Sequence, residues 1–381
     1  MEIYLDNSST TKPYKEVVKK MIYALEVDYA NPSSLHKKGV QVEKNIKNIR
    51  QNIARTIGAK DKEIFFVSGA TEANNWILKK IVNKRKNHII TSSIEHPSVL
   101  QTLKDIEKEG IEVTYLKVDK NGIINLEELK NCIKENTALI SIMHVNNEVG
   151  SIQPILEIGK HLKTLKEKVY FHVDGVQSYT KINFRPSKYN IDFLSVSAHK
   201  IHGPKGIGFL YIKENSNIKP FFSGGSQEFG LRSGTENVPG IYGMDEAVRI
   251  SNENLEQRIK KISDLKELLK KEIIKNIENI KINTPENSVC HILNISFYGI
   301  KGEVLLHYLE QKNVYVSTGS ACSSKKKGSH VLNEMNLSSD EIEGAIRFSL
   351  SDSNTEEEII EAVKILKESI KDLRFIIKRK R

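Results

Sequence analysis

Ser195-Val196-Ser197-Ala198-His199-Lys200 runs an apolar segment into a lysine, and Tyr170-Phe171-His172-Val173-Asp174 runs another into a carboxylate. Continuously apolar runs of this length read as strands buried on both faces, Ile191–Val196 and Tyr170–Val173. Outward from this pair, the same signal recurs at Ile64–Val67, His88–Ser92, Val113–Leu116, Ala138–Val145 and Ile207–Ile212. Helical periodicity fills the gaps near Val40–Ile57, Ala73–Lys84, Ser98–Glu109, Leu126–Lys134 and Pro154–Lys166, and Gly110 is a good stop for the third of these. Strand–helix alternation predicts an α/β domain built on a mostly parallel sheet. In such a sheet ligands gather at the carboxyl ends of strands, where Asp174 and Lys200 stand.

The pattern changes after about residue 240. A charged helical stretch runs from Met244 to about Ile277, followed by a strand (His291–Phe297), a helix (Glu303–Gln311), a strand (Val314–Ser317) and two helices. Both last helices carry capping-box signatures, Ser338 with Glu341 and Asn354 with Glu357. This is a smaller α+β domain. The division expected is 13–250 for the large domain, with 1–12 and 251–381 forming the small one. Between the last strand and these helices, Ser320-Ala321-Cys322-Ser323-Ser324-Lys325-Lys326-Lys327-Gly328-Ser329 is small and polar and reads as an exposed, mobile loop.

Composition agrees with two domains: the chain has 381 residues, against ~100–200 per domain. Hydrophobic residues at 39% and charged residues at 28% exclude a disordered chain. No apolar run approaches the ~18 residues a membrane span needs. The opening Met1–Asp6 lacks a basic leader and an apolar segment, so no signal peptide is expected. Three cysteines, Cys132, Cys290 and Cys322, exclude a disulfide framework and a four-cysteine metal site within one chain, and point to a reducing cytoplasm. A net charge of +10 permits an acidic partner without demanding one. The Lys378–Arg381 run reads as a cation-rich helix end, and no direct nucleic-acid contact is expected.

Three features carry chemistry. Ser68-Gly69-Ala70-Thr71-Glu72 follows a strand and opens a helix, which presents backbone N–H groups and the Thr71 hydroxyl to an anion. Asp174 and Lys200 end their strands, and a lysine in an apolar pocket beside polar groups is a plausible Schiff-base amine. His199 and His202 have no acidic or thiol partner nearby in sequence, so no metal is expected. Gly203-Pro204-Lys205-Gly206-Ile207-Gly208 is a turn into a strand, not a dinucleotide fingerprint. A phosphate cradle, a strand-end aspartate for a pyridine nitrogen and a strand-end lysine for an aldehyde are together what pyridoxal phosphate requires.

The chain resembles the cysteine desulfurases, in the class V aminotransferase branch of the fold-type I pyridoxal phosphate enzymes. The resemblance rests on Leu5–Thr11, Asn31–Ser34, Ser68–Glu72, Glu95-His96, His144–Gly150, His172–Gln177, Ser197–Lys200, Arg232–Thr235, Ser317–Cys322 and Arg347–Ser349. Ser9 and Gly175 stand where the family more often has Ala, and Ala198 where Gly is common. The Ser-Ala-Cys setting of Cys322 in a long Ser/Lys/Gly loop resembles the branch with a mobile catalytic loop. By this resemblance Ala70, Thr71, Ser197 and His199 bind the cofactor phosphate, and Thr235 reaches the phosphate of a neighbouring subunit, so a homodimer is implied. His96 stacks on the pyridine ring and moves protons, Asn147 and Gln177 hold the phenolic oxygen side, and Asp174 holds the ring nitrogen. Lys200 condenses with the aldehyde, Arg347 (with Asn147) holds the substrate carboxylate, and Cys322 accepts sulfur as a persulfide.

The implied reaction takes sulfur from L-cysteine, releases L-alanine and hands the sulfur to an acceptor protein, an iron–sulfur scaffold or a tRNA- or thiocofactor-thiolating enzyme. Two alternatives stand beside it: a selenocysteine lyase or another enzyme of the same class, and a non-enzymatic partner-binding platform. Individual residues have plainer readings too. Cys132 and Cys290 read as inert packing thiols, and His144 and His172 as satisfied core histidines. Arg347 has an alternative as a structural ion-pair residue, and Lys325–Lys327 as a solvated loop.

Overall fold

The computed structural model describes residues 1–318 and 328–379; Cys322 and Lys325–Lys327 lie outside the described residues. The strands in chain order are β1 (Ile3–Tyr4), β2 (Ile64–Val67), β3 (His88–Ser92), β4 (Glu112–Leu116), β5 (Thr137–Met143), β6 (Tyr170–Asp174), β7 (Phe193–Ser197), β8 (Gly208–Ile212), β9 (Ile280–Ile282), β10 (Ile292–Phe297), β11 (Val314–Tyr315) and β12 (Ala345–Ser349). The central sheet has seven strands in the order β2-β8-β7-β6-β5-β3-β4. Only β8 runs against the rest, pairing antiparallel with both β2 and β7; β7, β6, β5, β3 and β4 are mutually parallel. The protein is thus an α/β fold with a mostly parallel sheet, and six of its seven strands end at one edge.

Successive residues of each strand feed opposite cores, as the two-residue side-chain period requires. Ile64 and Phe66, Ile90, Ile140, Leu194 and Phe209 join one apolar cluster, covered by the helices Lys37–Ile57 and Val238–Asn252. Phe65 and Val67, Ile89, Leu139, Phe193 and Leu210 join the other, beneath the helices Ala70–Lys80 and Pro97–Glu107 with Trp76, Ile77, Val99 and Leu103. A further core gathers Ile3 and Leu5 with the helix Leu255–Asn276, the antiparallel sheet β12-β10-β9 and the helix Glu356–Arg379. The first residues reach it because β1 lies parallel to β11 and Asp6 bridges to Ser349.

The structure departs from the sequence reading at a few elements. The charged stretch from Met244 is two helices, Val238–Asn252 and Leu255–Asn276, separated where Asn254 adopts left-handed φ/ψ of 52° and 38°. Periodicity does not see this break, because asparagine tolerates that conformation without a glycine or proline to mark it. The last capping box sits one residue later than expected: Thr355 Oγ1 accepts from Glu358 N–H at 3.2 Å and Glu358 accepts from Thr355 N–H at 3.2 Å. Asn354 instead accepts from Ser351 N–H and donates to Tyr4 O, tying this turn to β1. The box at Ser338 and Glu341 forms as read. The helix Lys15–Glu26 gives a faint signal, since it has no side-chain cap and buries only Val17 and Ala24.

Candidate active site

The common edge of β2, β3, β5, β6 and β7 is where the candidate residues meet. Ala70, Thr71, His96, Asn147, Asp174, Gln177, Ser197, His199, Lys200 and Arg347 all line one cavity of about 300 Å³. Most follow directly from topology. Each of the first nine lies on a strand's last residue or in the segment leaving it, and the strand order sets those segments side by side. Arg347 arrives from β12, across the boundary between the central sheet and the smaller one.

Lys200 closes a 3-10 turn, Ala198–Lys200, after β7. Its Nζ donates to Ser8 O at 2.6 Å and Ser9 O at 2.7 Å. Burial, reinforced by the Arg347 charge, pushes its ammonium down to about 8. Asp174 is buried and accepts twice, from Val176 N–H at 3.1 Å and from Asn74 Nδ2 at 2.9 Å. Both bonds fix the orientation of the carboxylate, which faces the cavity at the end of β6.

At the other end of the cavity the helix Ala70–Lys80 begins. Gly69 has φ +152°, and a Cβ there would lie 3.2 Å from Ser197 Oγ, so the position favours glycine. Ala70 N–H donates to Ser197 Oγ at 2.8 Å. The N–H groups of the helix's first turn have no intrahelical carbonyl, and Thr71 and Ser197 hydroxyls stand with them on the cavity wall. That is an anion cradle. His199 Nδ1 lies 3.2 Å from Thr10 Oγ1, and burial, helped by Lys200 and Lys205, pushes its imidazole down to about 4.

His96 caps the helix Pro97–Glu107, its Nδ1 accepting from Ser98 N–H at 3.1 Å. Gln177 donates from Nε2 to Ser8 O at 3.0 Å and accepts at Oε1 from His291 Nε2 at 3.0 Å. Arg347 donates to Asn147 O (2.8 Å), Asp6 Oδ1 (2.8 Å) and Ser9 Oγ (2.6 Å). The ion-pair geometry and the cavity-lining position therefore coexist in one residue, and its Nε is buried with no acceptor among the described residues.

Thr235 is not in this cavity; it lies exposed in a separate surface hollow with Arg232 and Glu236. Cys322 lies outside the described residues. The chain on either side of it, Ser317 and Ser329, lines the cavity. Ser317 bridges to Arg347, and Ser329 Oγ hydrogen-bonds the Glu148 carboxyl. Glu148, Asn74, Ser98, His291 and Ser8 escape the sequence reading as site residues. Glu148, which lines the cavity, is raised to about 7 by burial, against the opposing Ser329 bond and Arg347 charge. No local sequence pattern marks Asn74, a buried polar residue on the helix that the anion motif opens. His172 is satisfied at both nitrogens, by Ser141 and Ser195 hydroxyls, whereas His144 packs edge-on to Phe184 with its Nδ1 unpartnered among the described residues. Burial raises the Cys290 thiol, which fits an inert packing role.

Comparison with known proteins agrees with this geometry. Residues 3–362 match the family model "Aminotransferase class-V". "Cysteine desulfurase IscS" of Clostridium botulinum is 41% identical over 380 residues, covering 98% of this chain and 95% of that protein. "Cysteine desulfurase IscS" of Methanosarcina thermophila is 42% identical over 376 residues, covering 98% and 93%. A solved structure described as "NIFS-LIKE PROTEIN" superposes with a TM-score of 0.93 at 40% identity, covering 98% of this chain and all of its own. With the match spanning nearly every residue from β1 to the last helix, the chain belongs to the class-V aminotransferase family.

Proposed function

We propose that the protein is a cysteine desulfurase that converts L-cysteine to L-alanine and leaves the sulfur as a persulfide on Cys322. The observation that carries this is the single cavity holding an amine at Lys200, a carboxylate at Asp174 and an anion cradle at Ala70 and Thr71. These groups fit pyridoxal phosphate: a cradle for its phosphate, a buried, oriented carboxyl group for its ring nitrogen and an amine of lowered pKa for its aldehyde. When bound, this cofactor supplies an electron sink for bond changes at the substrate's carbons.

The chain's own residues do the rest. Ala70, Thr71, Ser197 and His199 hold the phosphate, Asp174 keeps the ring nitrogen protonated, and Asn147 and Gln177 sit on the phenolic oxygen side. His96 lies against the ring face and moves protons near it. Lys200 takes and returns the substrate's α-proton once its amine is released. The Arg347 fork, with Asn147 beside it, holds the substrate carboxylate; its unpartnered Nε–H supports this. Cys322 attacks the substrate sulfur as a thiolate: its sulfur bonds to the substrate's, the substrate's carbon–sulfur bond breaks, and the carbon skeleton leaves as alanine. One cysteine plus one enzyme thiol gives one alanine plus one persulfide.

The sulfur then passes to an acceptor protein, in iron–sulfur cluster assembly or in thiolation of tRNA or a thiocofactor. The active unit is a homodimer in the cytoplasm, each protomer divided into 13–250 and 1–12 plus 251–381. Exposed apolar residues support the dimer: Leu35 is 96% exposed, Tyr29 63% and Phe229 60%. In that dimer Thr235, exposed in a hollow outside its own protomer's cavity, completes the neighbour's phosphate site. No helix of the described residues is long and apolar enough to cross a membrane.

Product analysis tests the reading. With pyridoxal phosphate and L-cysteine the protein should release alanine, and Lys200→Ala should release none while remaining folded. A keto acid in place of alanine would make it a transaminase. Alanine from selenocysteine but not from cysteine would make it a selenocysteine lyase.

A further inference from the structure

We propose that Asn74 and Ser98 are positioning residues that join Asp174 and His96 into one directed hydrogen-bond chain, fixing His96 as the tautomer protonated at Nε2. The proposal rests on the assignment of Asp174 and His96 to the site. Asn74 is fully buried on the helix Ala70–Lys80. Its Nδ2 carries two protons. One goes to Asp174 Oδ2 at 2.9 Å and the other to Ser98 Oγ at 2.9 Å. The amide has one acceptable orientation, because a flip would set its carbonyl oxygen against the Asp174 carboxylate. The cost is visible: Asn74 Oδ1 is buried with no hydrogen-bond partner among the described residues.

Direction then propagates. Ser98 Oγ receives a proton from Asn74, so its own proton is free for His96 Nδ1, 2.8 Å away. The Ser98 backbone N–H is aimed at the same nitrogen. Nδ1 faces two donors and must be the acceptor, which leaves the ring proton on Nε2, the nitrogen available to the cavity that His96 lines. Protonating Nδ1 would oppose an N–H to an N–H. The chain therefore resists an imidazolium, in the same direction as burial, which lowers the His96 pKa. The charged groups facing His96 from other elements are Asp174 at the end of β6, which raises it, and Lys200 after β7 and His330 of the helix His330–Glu334, which lower it. Asn74 thereby holds the carboxylate meant for the ring edge and, through Ser98, the imidazole meant for the ring face.

The test titrates His96 in cofactor-free protein by NMR of isotopically labelled histidine, the signal assigned by its loss in His96→Gln. Wild type should show the Nε2–H tautomer and a midpoint below the free imidazole's. Ser98→Ala should raise that midpoint by about half a unit or more, and Ser98→Thr, which keeps the hydroxyl, should leave it near wild type. Asn74→Leu should raise it too and also weaken pyridoxal phosphate binding roughly fivefold or more, since Asp174 loses a donor. An Nδ1–H tautomer in wild type, or a Ser98→Ala midpoint equal to wild type, would overturn the proposal. So would Asn74→Leu binding the cofactor normally, and should that variant not fold, the Ser98 pair still decides. None of these readings depends on alanine release, so failure of the desulfurase assignment is separately visible.

Discussion

Lys200 shows what a fold does to one side chain. In water its amine would be almost wholly protonated at neutral pH, and burial next to Arg347 brings it to about 8. The unprotonated fraction, the form that attacks an aldehyde, then rises about tenfold per unit up to pH 8 and levels off above it. Capture of pyridoxal phosphate by cofactor-free protein, followed by stopped-flow absorbance, should accelerate from pH 6 to 8 and plateau near pH 8. A rate still climbing at pH 10 would mean that the amine is not perturbed as the geometry implies. At this scale the sequence was most legible where a residue ends an apolar strand, as Asp174 does, or closes the short turn leaving one, as Lys200 does. It was silent on Asn74, Ser98 and His291. The partners of Asn74 and His291 lie far along the chain, Asp174 and Gln177, and Ser98, which bonds the neighbouring His96, joins the network only through Asn74; no local pattern encodes a contact made only by tertiary folding.

The elements explain why those residues meet. Five parallel strands deliver their following segments to one edge, and a continuous apolar run is enough to announce each strand. Breaks without a glycine or proline are harder to read, as the Asn254 hinge between two helices shows. Its left-handed backbone makes a prediction. Asn254→Gly should leave urea stability within a few tenths of a kcal/mol of wild type, whereas Asn254→Val should lose about 1–2 kcal/mol, the cost of a branched side chain in that conformation. Equal stabilities would mean that the helix is continuous there in solution. The displaced capping box has the same kind of cause. Asn354 is a good cap in isolation, but its amide is engaged by Ser351, Tyr4 and Glu358, and Thr355 takes the cap.

For the whole molecule, the exposed apolar residues Tyr29, Leu35 and Phe229 predict association. Leu35→Glu combined with Tyr29→Glu should shift sedimentation at micromolar protein from dimer toward monomer and lower cofactor affinity, because Thr235 would no longer reach a neighbour. A fully active monomer would contradict this. The central claim is that the cavity and the segment between Ser317 and Ser329 form one sulfur-transferring machine, and mass spectrometry after a single turnover with L-cysteine tests it most directly. The account predicts a gain of one sulfur on the peptide holding Cys322, with one alanine released, and neither product from Cys322→Ser, which should still bind the cofactor and L-cysteine. Sulfur on Cys132 or Cys290, or alanine formed by Cys322→Ser at the wild-type rate, would contradict it.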